Sequence, residues 1–163
     1  MNIVLSGMPG SGKTTIANEF RKLGKKVYDT DEEIVKSHGR IADIFANYGE
    51  EYFRDLESRA VEKLSALSDA VIATGGGCLL RAKNAENFKK NGKIVYLRTS
   101  RGTLEKRLQG DTERPLLQGG IREKLDKLFK EREHIYQSTA DVIVDTDGRT
   151  PEQIAKLITE LCK

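Results

Sequence analysis

Apolar residues along the chain fall into two kinds of segment. Short apolar runs bounded by turn-forming residues are typical of buried strands, and they lie at residues 3–5, 26–28, 70–73, 94–97 and 142–144. Longer segments with an apolar residue at every third or fourth position are typical of amphipathic helices, and they lie at about 13–23, 30–37, 50–67, 82–90, 101–109, 122–137 and 151–161. This alternation predicts an α/β fold whose parallel sheet has helices on both faces.

Two of the predicted helices begin with a recognisable start signal. Thr30-x-x-Glu33 and Thr150-x-x-Gln153 match the capping box, in which two reciprocal hydrogen bonds close a helix N-terminus. Pro151 follows the second cap at the first helical position, where its missing N–H costs no hydrogen bond. We therefore expect helices to start at both places.

The chain of 163 residues contains no internal repeat and no low-complexity tract. A single domain over residues 1–163 is the expected organisation. Three glycines and one proline fall between residues 110 and 120 without any helical or strand period. We predict a mobile lid there, at about residues 109–121.

Composition narrows the expected partners and location. No apolar run approaches the roughly 20 residues of a membrane-spanning helix, no leader segment is recognisable, and two cysteines are too few for a disulfide scaffold. The net charge of +3 is too small to indicate nucleic-acid binding. We expect a cytoplasmic monomer with no membrane and no nucleic-acid partner.

Candidate chemistry begins directly after the first predicted strand. Residues 7–14, GMPGSGKT, match the P-loop pattern and lie between a predicted strand and a predicted helix, as a P-loop must. Backbone N–H groups of such a loop and the positive helix N-terminus bind phosphate groups. Lys13 can reach the β- and γ-phosphates, and the Thr14 hydroxyl can ligate Mg²⁺. We predict a nucleoside triphosphate site; the alternative is a flexible turn between strand and helix.

A P-loop does not identify the reaction by itself, because switches, motors and small-molecule kinases all share it. A GTPase would also carry Asn-Lys-x-Asp for guanine, and the sequence lacks that pattern. Its Asp-x-x-Gly match, at residues 145–148, follows the last predicted strand instead of a middle one. These observations argue against a GTPase switch.

Further motifs suit the phosphorylation of a small polar acceptor. Two aspartates follow the second strand, at the sheet edge where open α/β sheets bind ligands, and glycines after a buried strand let backbone N–H groups approach a ligand. Arginines offer the planar fork that matches a carboxylate. In chain order the motifs are Asp29-Thr30-Asp31, Phe53-Arg54, Thr74-Gly75-Gly76-Gly77, Arg114-Pro115-Leu116-Leu117 and Arg132-x-x-x-Tyr136.

Together these motifs resemble the shikimate kinase family over nearly the whole chain. GMPGSGKT, DTD, IADIF with FR, TGGG, RPLL and REHIY occur in that family's order and close to its spacing. One departure is a turn at residues 39–41 that is a residue shorter than is usual in the family. The resemblance implies a P-loop kinase fold with a five-stranded parallel sheet in the order 2-3-1-4-5. It also implies transfer of phosphate from ATP to the 3-hydroxyl of shikimate, in the synthesis of aromatic amino acids.

The resemblance implies roles at the donor side of the reaction. Arg107 and Arg149, with Pro151, would border the adenine of ATP. Thr14 would ligate Mg²⁺, and Asp29 would hold a water bound to that ion. The ATP phosphates would be bound by Gly10, Ser11, Gly12, Lys13, Thr14 and Thr15.

On the acceptor side, the resemblance implies a substrate-binding region at about residues 30–62. Asp31 would hydrogen-bond the shikimate hydroxyls, and the N–H of Gly76 would bind one of them. Arg54 and Arg132 would clamp the carboxylate. The residues taken as catalytic are Lys13, Asp31 and, in the lid, Arg114.

Two other functions remain open at this point. One is another small-metabolite kinase of the same fold, acting on gluconate or a nucleoside monophosphate; the combination of FR, TGGG and REHIY argues against it. The other is a non-catalytic ATP-binding module with a regulatory partner. The complete set of acceptor motifs argues against that module, and ATP turnover dependent on shikimate would exclude it.

Overall fold

A computed structural model of the protein describes residues 1–109 and 120–163. The strands in these ranges are β1 (Asn2–Ser6), β2 (Lys26–Asp29), β3 (Ala70–Ala73), β4 (Gly92–Arg98) and β5 (Val142–Asp145). The α-helices are α1 (Lys13–Lys22), α2 (Thr30–His38), α3 (Ile41–Tyr48), α4 (Glu50–Ser65), α5 (Ala82–Lys89), α6 (Arg101–Gln109), α7 (Ile121–Thr139) and α8 (Pro151–Leu161). A 3₁₀ turn at Cys78–Leu80 precedes α5.

The five strands form one parallel sheet in the order β2-β3-β1-β4-β5. The central strand β1 pairs with β3 on one side and β4 on the other, so that Leu5 lies opposite both Ala73 and Val95. The sheet and its strand order confirm the predicted fold. Because all the strands run in one direction, the loops that follow them meet at one edge.

The side chains of each strand alternate between the two faces of the sheet, and this alternation divides the apolar core into two layers. Leu5, Val71 and Val95 point to one face, where they pack with α1 and α8. Their sequence neighbours Val4 and Ile72 point to the other face, where they pack with α4 and α5. Successive side chains of a strand point to opposite faces, so a sheet covered on both sides needs apolar residues at nearly every position.

Two further clusters lie beyond these layers. The first joins β4 to α6 and α7 around Tyr96, Leu104 and Leu125. The second is formed by α2, α3 and α4 alone, and it consists of Ile34, Ile44, Phe53, Leu56 and Ala60. This second cluster supports the acceptor side of the site described below.

Helix α3 was not predicted from the sequence. It has only eight residues, and Arg40 at its N-cap provides no capping hydrogen bond, so local signals for a helix are weak. Tertiary contacts stabilise it instead: Ile44 is buried in the cluster of α2, α3 and α4, and the Phe45 and Phe53 rings lie 4.9 Å apart between centroids. Packing of this kind decides whether a short helix forms.

One predicted capping box is wrong and the other is confirmed. Asp29, not Thr30, is the N-cap of α2, and its Oδ1 accepts hydrogen bonds from the N–H groups of Asp31 and Glu32. An aspartate in that position caps as well as a threonine. At α8 the reciprocal bonds between Thr150 and Gln153 are both present.

Most of the predicted lid, residues 110–119 with Arg114, lies outside the described residues. No helix within the described ranges has the length and the apolar character needed to cross a bilayer.

We expect Ile158→Ala to lower the free energy of unfolding by about 2–5 kcal/mol, because Ile158 is fully buried between α8 and the sheet. Urea denaturation measures this loss. The control is Leu161→Ala in the same helix: Leu161 is 46% exposed, and its loss should stay within about 0.5 kcal/mol. Equal losses in the two variants would contradict the packing described here.

Candidate active site

A cavity of about 1190 Å³ opens at the edge of the sheet where the strands end. The P-loop follows β1, Asp29 ends β2, and the three glycines of residues 75–77 follow β3. These segments share one edge because their strands are parallel neighbours in the sheet. Ligand sites of open α/β sheets lie at such edges.

The P-loop adopts a conformation that favours glycine. Gly7, Gly10 and Gly12 all have positive φ, at 148°, 83° and 97°, where a side chain would be strained. Helix α1 begins at Lys13, so its first N–H groups face the cavity without helical partners. The Lys13 ammonium folds back over the loop and donates to the carbonyl oxygens of Gly7, at 2.6 Å, and Met8, at 3.2 Å. This arrangement gathers positive charge where a polyphosphate can bind.

Two arginines border the same part of the cavity. Arg107 of α6 donates to the carbonyl oxygen of Gly10 at 2.9 Å. Arg149 comes from the loop between β5 and α8, and it donates to the carbonyl oxygen of Asp145 at 2.6 Å. Both side chains line the cavity, as does Pro151.

Two carboxylates stand opposite the P-loop lysine. Burial and, to a smaller extent, the neighbouring charge of Asp29 raise the pKa of Asp31 to about 6, while Lys13 and Arg54 oppose the rise. Burial also raises the pKa of Asp29, against the effect of its two backbone hydrogen bonds. At neutral pH Asp31 is therefore ionised in most molecules, and near pH 6 it can hold or release a proton.

The guanidinium groups of Arg54 and Arg132 reach the cavity from α4 and α7. Arg54 donates to Oε1 of Glu57 at 2.9 Å, and burial raises the pKa of Glu57 although Arg54 opposes the rise. Nε of Arg132 is buried and lacks a hydrogen-bond partner among the described residues. A buried donor without a partner is costly, so this guanidinium is suited to an anionic ligand.

The three glycines after β3 make room for these polar groups, one for each. A β-carbon at Gly75 would lie 2.7 Å from Oδ1 of Asp31, and one at Gly76 would lie 2.7 Å from Nη1 of Arg132. A β-carbon at Gly77 would collide with the guanidinium of Arg54. Any side chain in this loop would displace a charged group of the site.

Every described residue that the sequence assigned to the site lines this one cavity; Arg114 lies outside the described residues. The sequence missed other contributors. Glu57 lies three positions after Arg54, so the helical spacing places the two side chains together, but Glu57 was assigned no role in the site. Two lysines of α7 also line the cavity: Lys124 and Lys127, which precede Arg132 by eight and five residues. An apolar wall is formed by Ile41, Phe45 and Phe53. Phe53 stands in the Phe53-Arg54 motif, whereas Ile41 and Phe45 lie on α3, the helix that was not predicted.

Comparisons with known proteins agree with this geometry. The sequence profile of the shikimate kinase family matches residues 9–163. The chain belongs to the shikimate kinase family. A shikimate kinase from Persephonella marina is 42% identical over 159 residues, which cover 96% of each protein. One from Thermodesulfovibrio yellowstonii is 41% identical over 160 residues, covering 96% of this chain and 92% of that protein.

Solved structures of shikimate kinases have the same fold. The structure of the Acinetobacter baumannii enzyme in complex with shikimate superposes with a TM-score of 0.90 at 36% identity, covering 98% of this chain and 91% of that one. The Aquifex aeolicus enzyme gives a TM-score of 0.83 at 36% identity, covering 98% and 95%. The predicted family and its activity, the phosphorylation of shikimate with ATP, are confirmed.

We expect Asp31→Asn to stabilise the protein at pH 8. The pKa of Asp31 is about 6 in the folded chain and 3.8 ordinarily, so the folded state binds its proton more tightly. Stability from this group is present below about pH 4 and is lost as the pH rises through about 6. The variant should therefore have the higher Tm at pH 8, and the difference should shrink as the pH falls from 6 to 4.

Thermal unfolding monitored by circular dichroism across this pH range measures the effect. The control is Asp43→Asn, an exposed carboxylate on α3, which should change the Tm little at any of these pH values. A Tm of Asp31→Asn below that of the parent at pH 8 would contradict the cost assigned to burying this charge.

Proposed function

We propose that this chain transfers the γ-phosphoryl group of ATP to the 3-hydroxyl of shikimate, with the cavity residues in the roles given below. One observation carries the proposal. A single cavity joins a P-loop to an acceptor pocket that holds two guanidinium groups, from Arg54 and Arg132, and the ionisable carboxyl of Asp31. A hydroxylated carboxylic acid matches that set of groups better than a nucleoside monophosphate does.

On the donor side, the backbone N–H groups of residues 10–15 bind the ATP phosphates, and the Lys13 ammonium turns from its loop carbonyls to the β- and γ-phosphates. Phosphoryl transfer depends on alignment and on neutralising charge more than on a strong base. Arg107 and Arg149 border the adenine together with Pro151, because they flank the cavity next to the P-loop.

The residues present fit a Mg²⁺ ion that arrives with ATP. Mg²⁺ prefers oxygen ligands and is commonly bound through one or two carboxylates plus substrate phosphates. The Thr14 hydroxyl would be a ligand, and Asp29 would hold a metal-bound water through Oδ2, since both its backbone hydrogen bonds fall on Oδ1. Within the described ranges no group of three or more histidine, cysteine, aspartate or glutamate side chains could hold a metal. When bound, the ion would neutralise phosphate charge.

On the acceptor side, Arg54 and Arg132 bind the shikimate carboxylate, since a guanidinium fork matches a carboxylate in two parallel hydrogen bonds. The Gly76 N–H donates to a hydroxyl. Asp31 accepts a hydrogen bond from the hydroxyl that attacks the γ-phosphorus, and it takes that proton as the new P–O bond forms. Below about pH 6 it is protonated and cannot do so.

Other features of the proposal come from the sequence. Arg114 is a cation that neutralises the γ-phosphate when both substrates are bound. The chain acts as one catalytic domain over residues 1–163, with the acceptor region at about 30–62 and a lid at about 109–121. It is a monomer of the cytoplasm, where ATP is available, and binds neither nucleic acid nor membrane.

In a coupled assay of ADP release with Mg²⁺ and ATP, we expect shikimate to accelerate turnover at least about a hundred-fold over the rate with water alone, because the acceptor completes the site. The panel should include gluconate and AMP, the acceptors of related kinases. Lys13→Ala is the inactive control, since it removes the cation at the phosphates. Stronger turnover with gluconate or AMP would reject the assignment.

We expect Arg54→Lys and Arg132→Lys each to weaken shikimate binding by roughly ten- to a hundred-fold, because a charge-assisted pair contributes about 1.5–3 kcal/mol and an ammonium lacks the fork. Calorimetric titrations with shikimate and, separately, with ATP provide the measurement. Arg59→Lys is the matched control, since Arg59 is an exposed arginine of the same helix as Arg54. If ATP affinity fell as much as shikimate affinity, the carboxylate clamp would be misassigned.

A further inference from the structure

The backbone of the glycine loop after β3 is held by partners from several elements. The Gly75 N–H donates to the Thr30 hydroxyl at 2.9 Å, and the Gly75 carbonyl accepts from the Cys78 N–H at 3.0 Å. The Gly77 carbonyl accepts from the Leu80 N–H at 3.1 Å. Among the carbonyls of the loop, that of Gly76 is the one bound by a side chain within the described ranges: it accepts a short hydrogen bond from the hydroxyl of Tyr136.

Two N–H groups of the loop remain available for a ligand. In the part of the chain that the structure describes, the N–H groups of Gly76 and Gly77 have no protein acceptor, and both residues line the cavity. A trans peptide unit is planar, and its C=O and N–H point in opposite directions. The direction of the Gly76 carbonyl therefore fixes the direction of the Gly77 N–H.

Tyr136 is placed to control that peptide unit from behind. It lies on α7, is only 3% exposed and packs against Tyr96, with 5.4 Å between ring centroids. It is not among the described residues that line the cavity. Because the Gly76 carbonyl points toward this buried side, the Gly77 N–H points the other way, toward the cavity.

The same hydroxyl is linked to the carboxylate clamp. Arg132 precedes Tyr136 by one helical turn, and its guanidinium lies against Gly76. Burial raises the pKa of Tyr136, while the Arg132 guanidinium opposes the rise, so the phenol keeps its proton and remains a donor. The Tyr136 side chain therefore contacts both the Gly76 backbone and the Arg132 side chain of α7.

We propose that Tyr136 is a positioning residue for the acceptor. Its hydroxyl fixes the peptide unit between Gly76 and Gly77, and through it the Gly77 N–H, which meets the substrate as a second donor in addition to the Gly76 N–H. This inference rests on the proposed function, because the substrate of the loop is taken to be shikimate. Without the Tyr136 hydroxyl, the Gly76 carbonyl has no hydrogen-bond donor in a buried site. The peptide unit then rotates until its carbonyl meets another donor.

Tyr136→Phe tests the proposal because it removes only the hydroxyl. We expect Kd and KM for shikimate to rise at least about five-fold, the effect of one lost hydrogen bond, while KM for ATP stays within about two-fold. Tyr96→Phe is the matched control, since Tyr96 is also a buried tyrosine of the same cluster and no hydrogen bond joins its hydroxyl to the loop. This control should leave both constants within about two-fold of the parent values.

Comparing the change in shikimate binding with the change in ATP binding separates positioning from a merely structural role. A structural role would lower the Tm and weaken the binding of both substrates together. If Tyr136→Phe does not fold, Tyr136→Met keeps an apolar side chain without the hydroxyl and replaces it in the same titrations. Unchanged shikimate affinity, or an equal loss for ATP, would overturn the inference. A parent protein without shikimate-dependent turnover would instead reject the proposed function, and the inference with it.

Discussion

The parallel pairing of β1 with β3 and β4 is the constraint on which the site depends. Parallel strands end at the same edge, and the order β2-β3-β1-β4-β5 puts three such ends next to one another. The P-loop at residues 7–14, the aspartates at 29 and 31 and the glycine loop at 75–77 are separated along the chain, yet they enclose one cavity. Their chemistry comes from the loops, but their relative positions come from backbone hydrogen bonds inside a core that water does not reach.

The two sides of the cavity differ in their charged groups. The nucleotide side carries Lys13 and the helix N-terminus, whereas the acceptor side alternates buried carboxyls with guanidinium groups. Burial raises the pKa of Asp31 and of Glu57, and each is offset in part by a neighbouring cation. Burying these ionised carboxyls lowers the stability of the folded state. The same groups are suited to bind an anion and to hold a proton. Sites of this kind are less stable than they could be, which is common where function requires unpaired polar groups.

The sequence predicted the fold and the family well because their signals are local. Glycines with positive φ, a strand before them and a helix after them define the P-loop, and apolar runs alternating with amphipathic segments define the sheet. Helix α3 could not be predicted, since it depends on packing of Ile44 and Phe45 against α4. The cap at Asp29 and the bond from Tyr136 to Gly76 also depend on tertiary structure: two acceptable capping residues stand side by side, and the tyrosine lies 60 positions from its partner. The roles assigned to individual site residues stay predictions.

The cluster formed by α2, α3 and α4 contains no residue of the sheet. Its apolar contacts hold these helices to one another, while the two large layers of the core hold the sheet to α1, α8, α4 and α5. Asp31 on α2 and Arg54 on α4, two of the residues proposed to bind the acceptor, thus lie on a packing unit that is partly independent of the nucleotide side. Changes among these five apolar side chains could accumulate without disturbing the phosphate donor. Such a division would let related chains diverge in which metabolite they modify while retaining a common way of using ATP.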